Sequence, residues 1–476
     1  MITPDSPERL YSTRLRTAVV ITGTGTAGAY HAGALRAIHE AGIRIDLVAG
    51  RGAGAIGVLF AAADGGARLW EPTGIWKRAD ARRFYGWRAP LRAAGWAMLA
   101  GSIILAFPVA LLALAILTGL AGLLLTLVGL EGTGASVTAV YGRWIASLFA
   151  PGFLPTYIPR LVLFAVLVAV VALVAGTLTT RFSRREHRRT RHGGVWRLFG
   201  APLTAASLLD RCASELWNLI RGAAPLALPP PGELARRYVE LLSENLGQPG
   251  FRELLVTVHD LDARRDLVFG FLGQAYRARF FGRTVLGDAA ARQAEAFDLA
   301  GIARDHAVDA LSAALAVPLA TEAHLVRFAP DGPWRGETHR VCDRAASLGR
   351  LLDEVSAAGV EQVIVVSAAP PASRAHELSA ARADLKGRAG EQLAAFESAG
   401  LRDALEHFAG RFAGLYVVRP SHNPLGPLDF GGVFDERSDR IHTVAELVDR
   451  GYEDAYRQFI EPIVGASGDR IETVQS

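Results

Sequence analysis

Cysteine, methionine and lysine are each present only twice in this chain of 476 residues. Cys212 and Cys342 cannot build a disulfide framework or a metal site on their own, so both read as reduced, structural side chains. No cofactor is expected. Lysine is confined to Lys77 and Lys386, which leaves arginine as nearly all of the basic side of a +4 net charge. That bias, with abundant alanine, fits a GC-rich bacterial genome and is no sign of nucleic-acid binding. The opening stretch MITPDSPERLYSTRLR has no apolar core, so a cleaved secretory signal is not expected. Serine is missing between Ser12 and Ser102. Charge is missing from Ala93 to Leu130, and again from Leu161 to Thr180.

The two uncharged stretches are 38 and 20 residues long. About 20 apolar residues suffice to cross a hydrocarbon core, so each reads as one membrane span. Arginine-rich flanks, KRADARRFYGWRAPLR before the first and RFSRREHRRTRH after the second, place both outer ends in the cytoplasm. The connection from 131 to 160 carries only Glu131, Arg143 and Arg160, so it reads as an external loop. The basic run at 181–192 reads as an anchor for anionic lipid. Membrane lipids are therefore the expected partners, at a bacterial inner membrane with both termini cytoplasmic.

Outside those spans the chain alternates strand and helix. TAVVIT at 17–22 is β-branched, GTGTAG follows at 23–28, and a helical pattern runs to Gly42. A second strand over 47–49 enters another glycine turn, and AIGVLFAAA continues as helix. This is the opening of an α/β sheet. Later strands are expected in FRELLVTVHDLDARRDLVFGFLG, in VEQVIVVSA at 360–368 and in AGLYVVRP at 413–420. Gly23, Gly25 and Gly28 also fit a dinucleotide fingerprint, but Asp46 precedes the second strand instead of ending it, where a ribose partner is needed.

One reading accounts for both glycine turns. GTGTAGAYHAGALRAIHEAGIRIDLVAGRGAGAIGVLFAA resembles the start of patatin-like phospholipases. The resemblance implies a three-layer α/β/α domain, here interrupted by a two-helix transmembrane hairpin. Residues 1–90 and 233–476 then form the domain, 91–182 the hairpin, and 183–232 a basic juxtamembrane segment and linker. It also implies a serine–aspartate dyad with a glycine-rich oxyanion loop. The loop corresponds to Gly23, Gly25, Thr26 and Gly28, and the G-x-S-x-G elbow to Gly50, Arg51, Gly52, Ala53 and Gly54. The aspartate corresponds to Asp343, which precedes a helix and a buried strand, with Asp331 of DGP as the alternative.

The departures fall on the chemistry. The serine slot is Gly52, which has no side chain to attack with. The positive residue of the oxyanion loop is replaced by Ala27, although backbone donors of Gly25 and Thr26 are expected to survive. Arg344 stands where the aspartate's glycine belongs. These losses imply an inactive site, leaving lipid or acyl binding, scaffolding or regulation. The alternative is an active lipid acyl hydrolase that uses Thr24 or Thr26. Glycine tolerates the positive φ that an elbow imposes, so Gly52 is expected to keep the turn. His31 is expected to pack on the first helix, HDLD at 259–262 to be a hairpin turn, and SHNPLGPLDFGG at 421–432 an ordered closing loop.

Overall fold

A run of β-branched residues with both faces covered makes a central parallel strand. Thr17–Thr22 forms such a strand, β1, and all six of its residues are buried. A computed structural model of the chain describes residues 11–183, 200–282, 293–332, 334–373 and 381–465. Most of the basic run at 181–192 lies outside the described residues. Helix α1 (Ala27–Glu40) follows β1, and strand β2 (Leu47–Gly50) leads into helix α2 (Gly54–Ala62).

The remaining strands of this sheet are β3 (Glu253–Asp260), β4 (Arg265–Phe271), β5 (Ala294–Asp298), β6 (His324–Arg327), β7 (Thr338–Cys342), β8 (Gln362–Ser367) and β9 (Gly414–Val418). Their order is β9-β8-β1-β2-β3-β4-β5, and β7 joins β3 to β6. The run from β9 to β3 is parallel, while β3–β4 is an antiparallel hairpin. HDLD at 259–262 spans the end of β3 and its turn, where Asp260 Oδ1 accepts the backbone N–H groups of Asp262 and Ala263.

Alternation along β1 sends Val19 and Ile21 to one core and Ala18 and Val20 to the other. The first core packs α1, α2 and helix Val444–Ala455, and the second packs helices Ser347–Ala357 and Leu385–Phe408. The result is the expected α/β/α layering. Helix Ala206–Arg221 lies in the stretch read as a linker, yet it buries Leu208, Cys212 and Leu216 in the first core. The amphipathic spacing of those residues takes it into the domain, which resumes at Leu203 and not at 233.

The register of β3 positions the site. Its first half pairs with β2, ending at Gly50 opposite Val256. Beyond the end of β2, β3 pairs with β7 through His259–Cys342 and Asp260–Val341. The residue after β7 is therefore delivered beside the turn after β2. That residue is Asp343.

Residues Trp87–Pro202 form a separate compact unit. Helix Ala89–Leu127 is followed by Glu131–Leu148 and Leu154–Ser183. The first and third are long and apolar enough to cross a membrane. A Cβ at Gly101 would touch Ala165, and one at Gly176 would meet Pro90, so these two helices run antiparallel. The middle segment differs from the expected loop. It is a helix lying along the first, with Gly122 against Gly134 and the Tyr141 hydroxyl donating to the Leu111 carbonyl at 2.7 Å. Gly134, Thr138 and Tyr141 share one helical face, and that spacing supports packing where charge alone suggested a loop.

Candidate functional site

Two glycine turns meet at the ends of β1 and β2. Gly23 and Gly25 in the first, and Gly52 in the second, have positive φ. At Gly52 φ is +56°, and the backbone N–H of Ala53 donates to the Gly23 carbonyl at 2.8 Å. A Cβ at Gly52 would lie 3.0 Å from Asp343 Oδ2, so the slot that corresponds to a nucleophile does face Asp343. It would also lie 2.4 Å from the Gly23 carbonyl oxygen. Backbone occupies the place where a serine side chain would start.

Asp343 is itself engaged. The Arg51 side chain is almost wholly buried and folds back over the turn, donating from Nε to Asp343 Oδ1 at 3.0 Å and from Nη2 to Oδ2 at 2.5 Å. This is a bidentate ion pair out of water. Arg51 also donates to the hydroxyls of Thr22 (3.0 Å) and Thr24 (3.2 Å). Glu397, reaching in from helix Leu385–Phe408, completes the group at 2.5 Å from Thr24 Oγ1 and 3.4 Å from Arg51 Nη2. Burial opposes the Arg51 charge, but Asp343 and Glu397 outweigh it and its pKa stands above the ordinary value. For Glu397 burial is the largest cause and raises the pKa, with Arg51 pulling the other way.

The oxyanion loop is covered as well. The Thr26 N–H, expected to remain a free donor, is bonded to the Pro427 carbonyl at 2.9 Å, and its hydroxyl donates to the Gly426 carbonyl. A Cβ at Gly25 would fall 1.8 Å from the Pro427 carbonyl oxygen. SHNPLGPLDFGG is thus an ordered loop, as expected, and it seats on the glycine turn. Behind it Phe430 stacks on Tyr85 at 5.5 Å and meets Phe84 edge-on, while Trp76 presses on Gly28. These side chains fill the space beneath the loop.

The other sequence-selected residues take plain positions. Gly50 ends β2, Ala53 and Gly54 open α2, and all three are buried. Asp331 is exposed in the connection between β6 and β7, so Asp343 and not Asp331 sits beside Gly52. Arg344 is not at the turn's centre but pairs with Asp266. Asp46 accepts the Thr17 N–H at the start of β1, away from the glycine turns. His31 is buried on α1, facing the Thr22 carbonyl at 3.0 Å, and burial lowers its pKa to about 3. Sequence reasoning missed the roles of Arg51 and Glu397. Arg51 had a signal: it is the sole charge between Asp46 and Asp64, inside a run that must be buried. Glu397 had none, because its helix is distant in sequence and carries other acidic residues, Glu391, Asp403 and Glu406, with nothing to set one apart.

No curated protein matches the chain. Among solved structures, the crystal structure of VipD from Legionella pneumophila aligns with 95% of this chain and 67% of its own, at 12% identity. Its TM-score is 0.26, so the likeness carries no argument. The sequence profile of Patatin-like phospholipase matches residues 19–343, from the third residue of β1 to the aspartate beside Gly52. That match spans more than half the chain, so this protein belongs to the patatin-like phospholipase family.

Proposed function

We propose that this chain is a membrane-anchored member of its family that has given up ester hydrolysis and serves as a scaffold or regulator at a lipid surface. The observation that carries the loss of hydrolysis is the Arg51–Asp343 pair beside Gly52. A serine–aspartate dyad needs a hydroxyl, a carboxylate with a free acceptor site, and open oxyanion donors. Here the hydroxyl is missing, the carboxylate is filled by two guanidinium bonds, and the Thr26 donor is spent on Pro427. Support for anchoring comes from the two long apolar helices. On this reading lipid lies along those helices; the packing of Trp76, Phe84, Tyr85 and Phe430 beneath the glycine loop supports that choice over a site there.

A second reading keeps one observation in its favour. Thr24 Oγ1 lies 3.1 Å from Asp343 Oδ2, within reach for a threonine–aspartate pair. That hydroxyl is buried, closer to Glu397, and also accepts from Arg51, so no substrate carbonyl has a route to it.

The experiment is ester hydrolysis and fluorophosphonate labelling of the parent, Gly52→Ser, and Gly52→Ser with Arg51→Ala. The parent and the single variant are expected to stay at buffer background and unlabelled, because the serine Cβ meets the Gly23 carbonyl and Asp343 remains paired. Turnover by the parent that is lost in Thr24→Ala would establish the second reading instead.

A further inference from the structure

Pro318 and Leu319 form an exposed tip on a rigid base. The base is buried: Val317 is 0% and Ala320 6% exposed, and the Thr321 N–H donates back to the Val317 carbonyl at 2.9 Å. Across the tip, the Ala320 N–H donates to the Pro318 carbonyl at 2.8 Å, and Leu319 has φ +64°. This is a γ-turn of positive φ, a strained form for a residue with a side chain. The strain holds a leucine at 95% exposure, the most exposed large apolar side chain among the described residues. Neither water nor local packing explains that choice.

The position does. The tip loop is tied to both points where the chain leaves and re-enters the patatin-like unit. The Tyr85 hydroxyl, one residue before the exit at Gly86, donates to the Leu315 carbonyl at 2.7 Å. The Leu203 N–H, at the re-entry, donates to the Ala320 carbonyl at 2.8 Å. Arg83, whose carbonyl accepts from Ser207, and Arg82 beside it are exposed next to the exit. From Gly86 to Ala93, where the uncharged part of the helix Ala89–Leu127 begins, no more than about 16 Å of chain intervenes. If that helix starts at the edge of the hydrocarbon, the covalent tether alone brings the tip to the headgroup layer. An exposed leucine and proline on a loop tied to the chain exit, where Arg82 and Arg83 are exposed, is the composition of an interfacial membrane contact.

We propose that the Pro318–Leu319 tip inserts into the headgroup–acyl boundary of the bilayer and docks the patatin-like unit against it, a reading that rests on the apolar helices spanning that bilayer. Because the Asp343 N–H donates to the Ala316 carbonyl at 2.9 Å, the same loop fixes the end of β7 that carries Asp343. The membrane contact and the Arg51–Asp343 pair therefore share one support.

The test uses the full chain in vesicles of phosphatidylcholine and phosphatidylglycerol whose acyl chains are brominated. A cysteine-reactive fluorophore is placed by Leu319→Cys, by Leu112→Cys in the long apolar helix, or by Asp403→Cys on a helix of the opposite layer; native Cys212 and Cys342 are buried and remain unlabelled. Bromine quenching at 319 is expected to exceed that at 403 by about twofold or more, with strong quenching at 112. Quenching at 112 with none at 319 overturns the docking inference and leaves the membrane reading standing. No quenching at either position overturns both. A 319 signal that is blue-shifted but unquenched assigns the tip to a protein contact, which also overturns the proposal.

Discussion

At the scale of single residues, Arg51 and Asp343 decide what this site is. Two buried opposite charges are costly to separate: removing one strands the other out of water, typically at about 3–5 kcal/mol. Arg51→Met and Asp343→Asn are each expected to lower stability by about that amount, measured by chemical denaturation in detergent. The double variant Arg51→Met with Asp343→Leu is expected to lose far less than the two singles summed, because the one carboxyl left in the group, Glu397, already has its pKa raised by burial and can stay neutral. Glu397→Gln is expected to be the mildest of the set, since burial already raises the pKa of that carboxyl. His31 gives the pH dependence. Its folded pKa of about 3 lies below the ordinary 6.5, so the unfolded chain takes up its proton first as pH falls. Its contribution is fully present above about pH 6.5 and is lost toward pH 3, with a slope of up to about 1.4 kcal/mol per unit. His31→Gln, which cannot take that proton, is expected to show a flatter loss of thermal midpoint between pH 6.5 and 4 than the parent.

At the scale of elements, backbones approach closely where glycines meet. On α1, a Cβ at Gly33 would lie 1.8 Å from the Val448 carbonyl oxygen, and on helix Val444–Ala455 one at Gly451 would lie 2.1 Å from that of Tyr30. Helix propensity alone favours alanine over glycine by about 1 kcal/mol. Overpacking against a carbonyl costs about 1–3 kcal/mol or more, so packing wins. Gly33→Ala is expected to lower the thermal midpoint, and a raised midpoint would show that the two helices separate freely. Much of this level was legible in the sequence. The β-branched run of β1, the glycine turns after β1 and β2, and the hairpin over 259–262 follow from local chemistry, and each stands where that chemistry puts it. The choice of Asp343 over Asp331 followed from spacing to the next buried strand. What was not legible depends on contacts distant in sequence: the fold-back of Arg51, the carboxylate of Glu397, and the Pro427 carbonyl that takes the Thr26 N–H. The helix Glu131–Leu148 is not legible because sparse charge is equally the mark of an external loop, while its packing face is built on the small residues Gly134 and Thr138.

At the scale of the whole molecule, the sheet constrains membrane topology. Gly50 and Val256 are paired in one sheet, so the chain between them crosses a bilayer an even number of times, if it crosses at all. The first helix is 39 residues long, about 58 Å at 1.5 Å per residue, against a hydrocarbon core of about 30 Å. Its excess length is matched by Glu131–Leu148 lying back along it, so one crossing by each of the two long helices satisfies the parity. Cysteine labelling in intact cells is expected to reach Ser136→Cys, while Glu71→Cys and Gln248→Cys stay protected until the cells are permeabilised. Opposite exposure of positions 71 and 248 would be incompatible with the sheet.

The same pairing of β2 with β3 has a consequence in time. A ribosome adding about 5–20 residues per second needs roughly 10–40 seconds to pass from β2 to its neighbour β3, some 200 residues on. The other edge of β1 waits longer, until β8 emerges. Throughout that interval the nascent chain carries an unpaired, strongly apolar strand pair, the kind of edge that invites aggregation. The long apolar helices are made within the same interval. If those helices insert as they are made, delivery of the chain to a membrane precedes completion of the sheet, and the half-built domain must be sheltered while it waits.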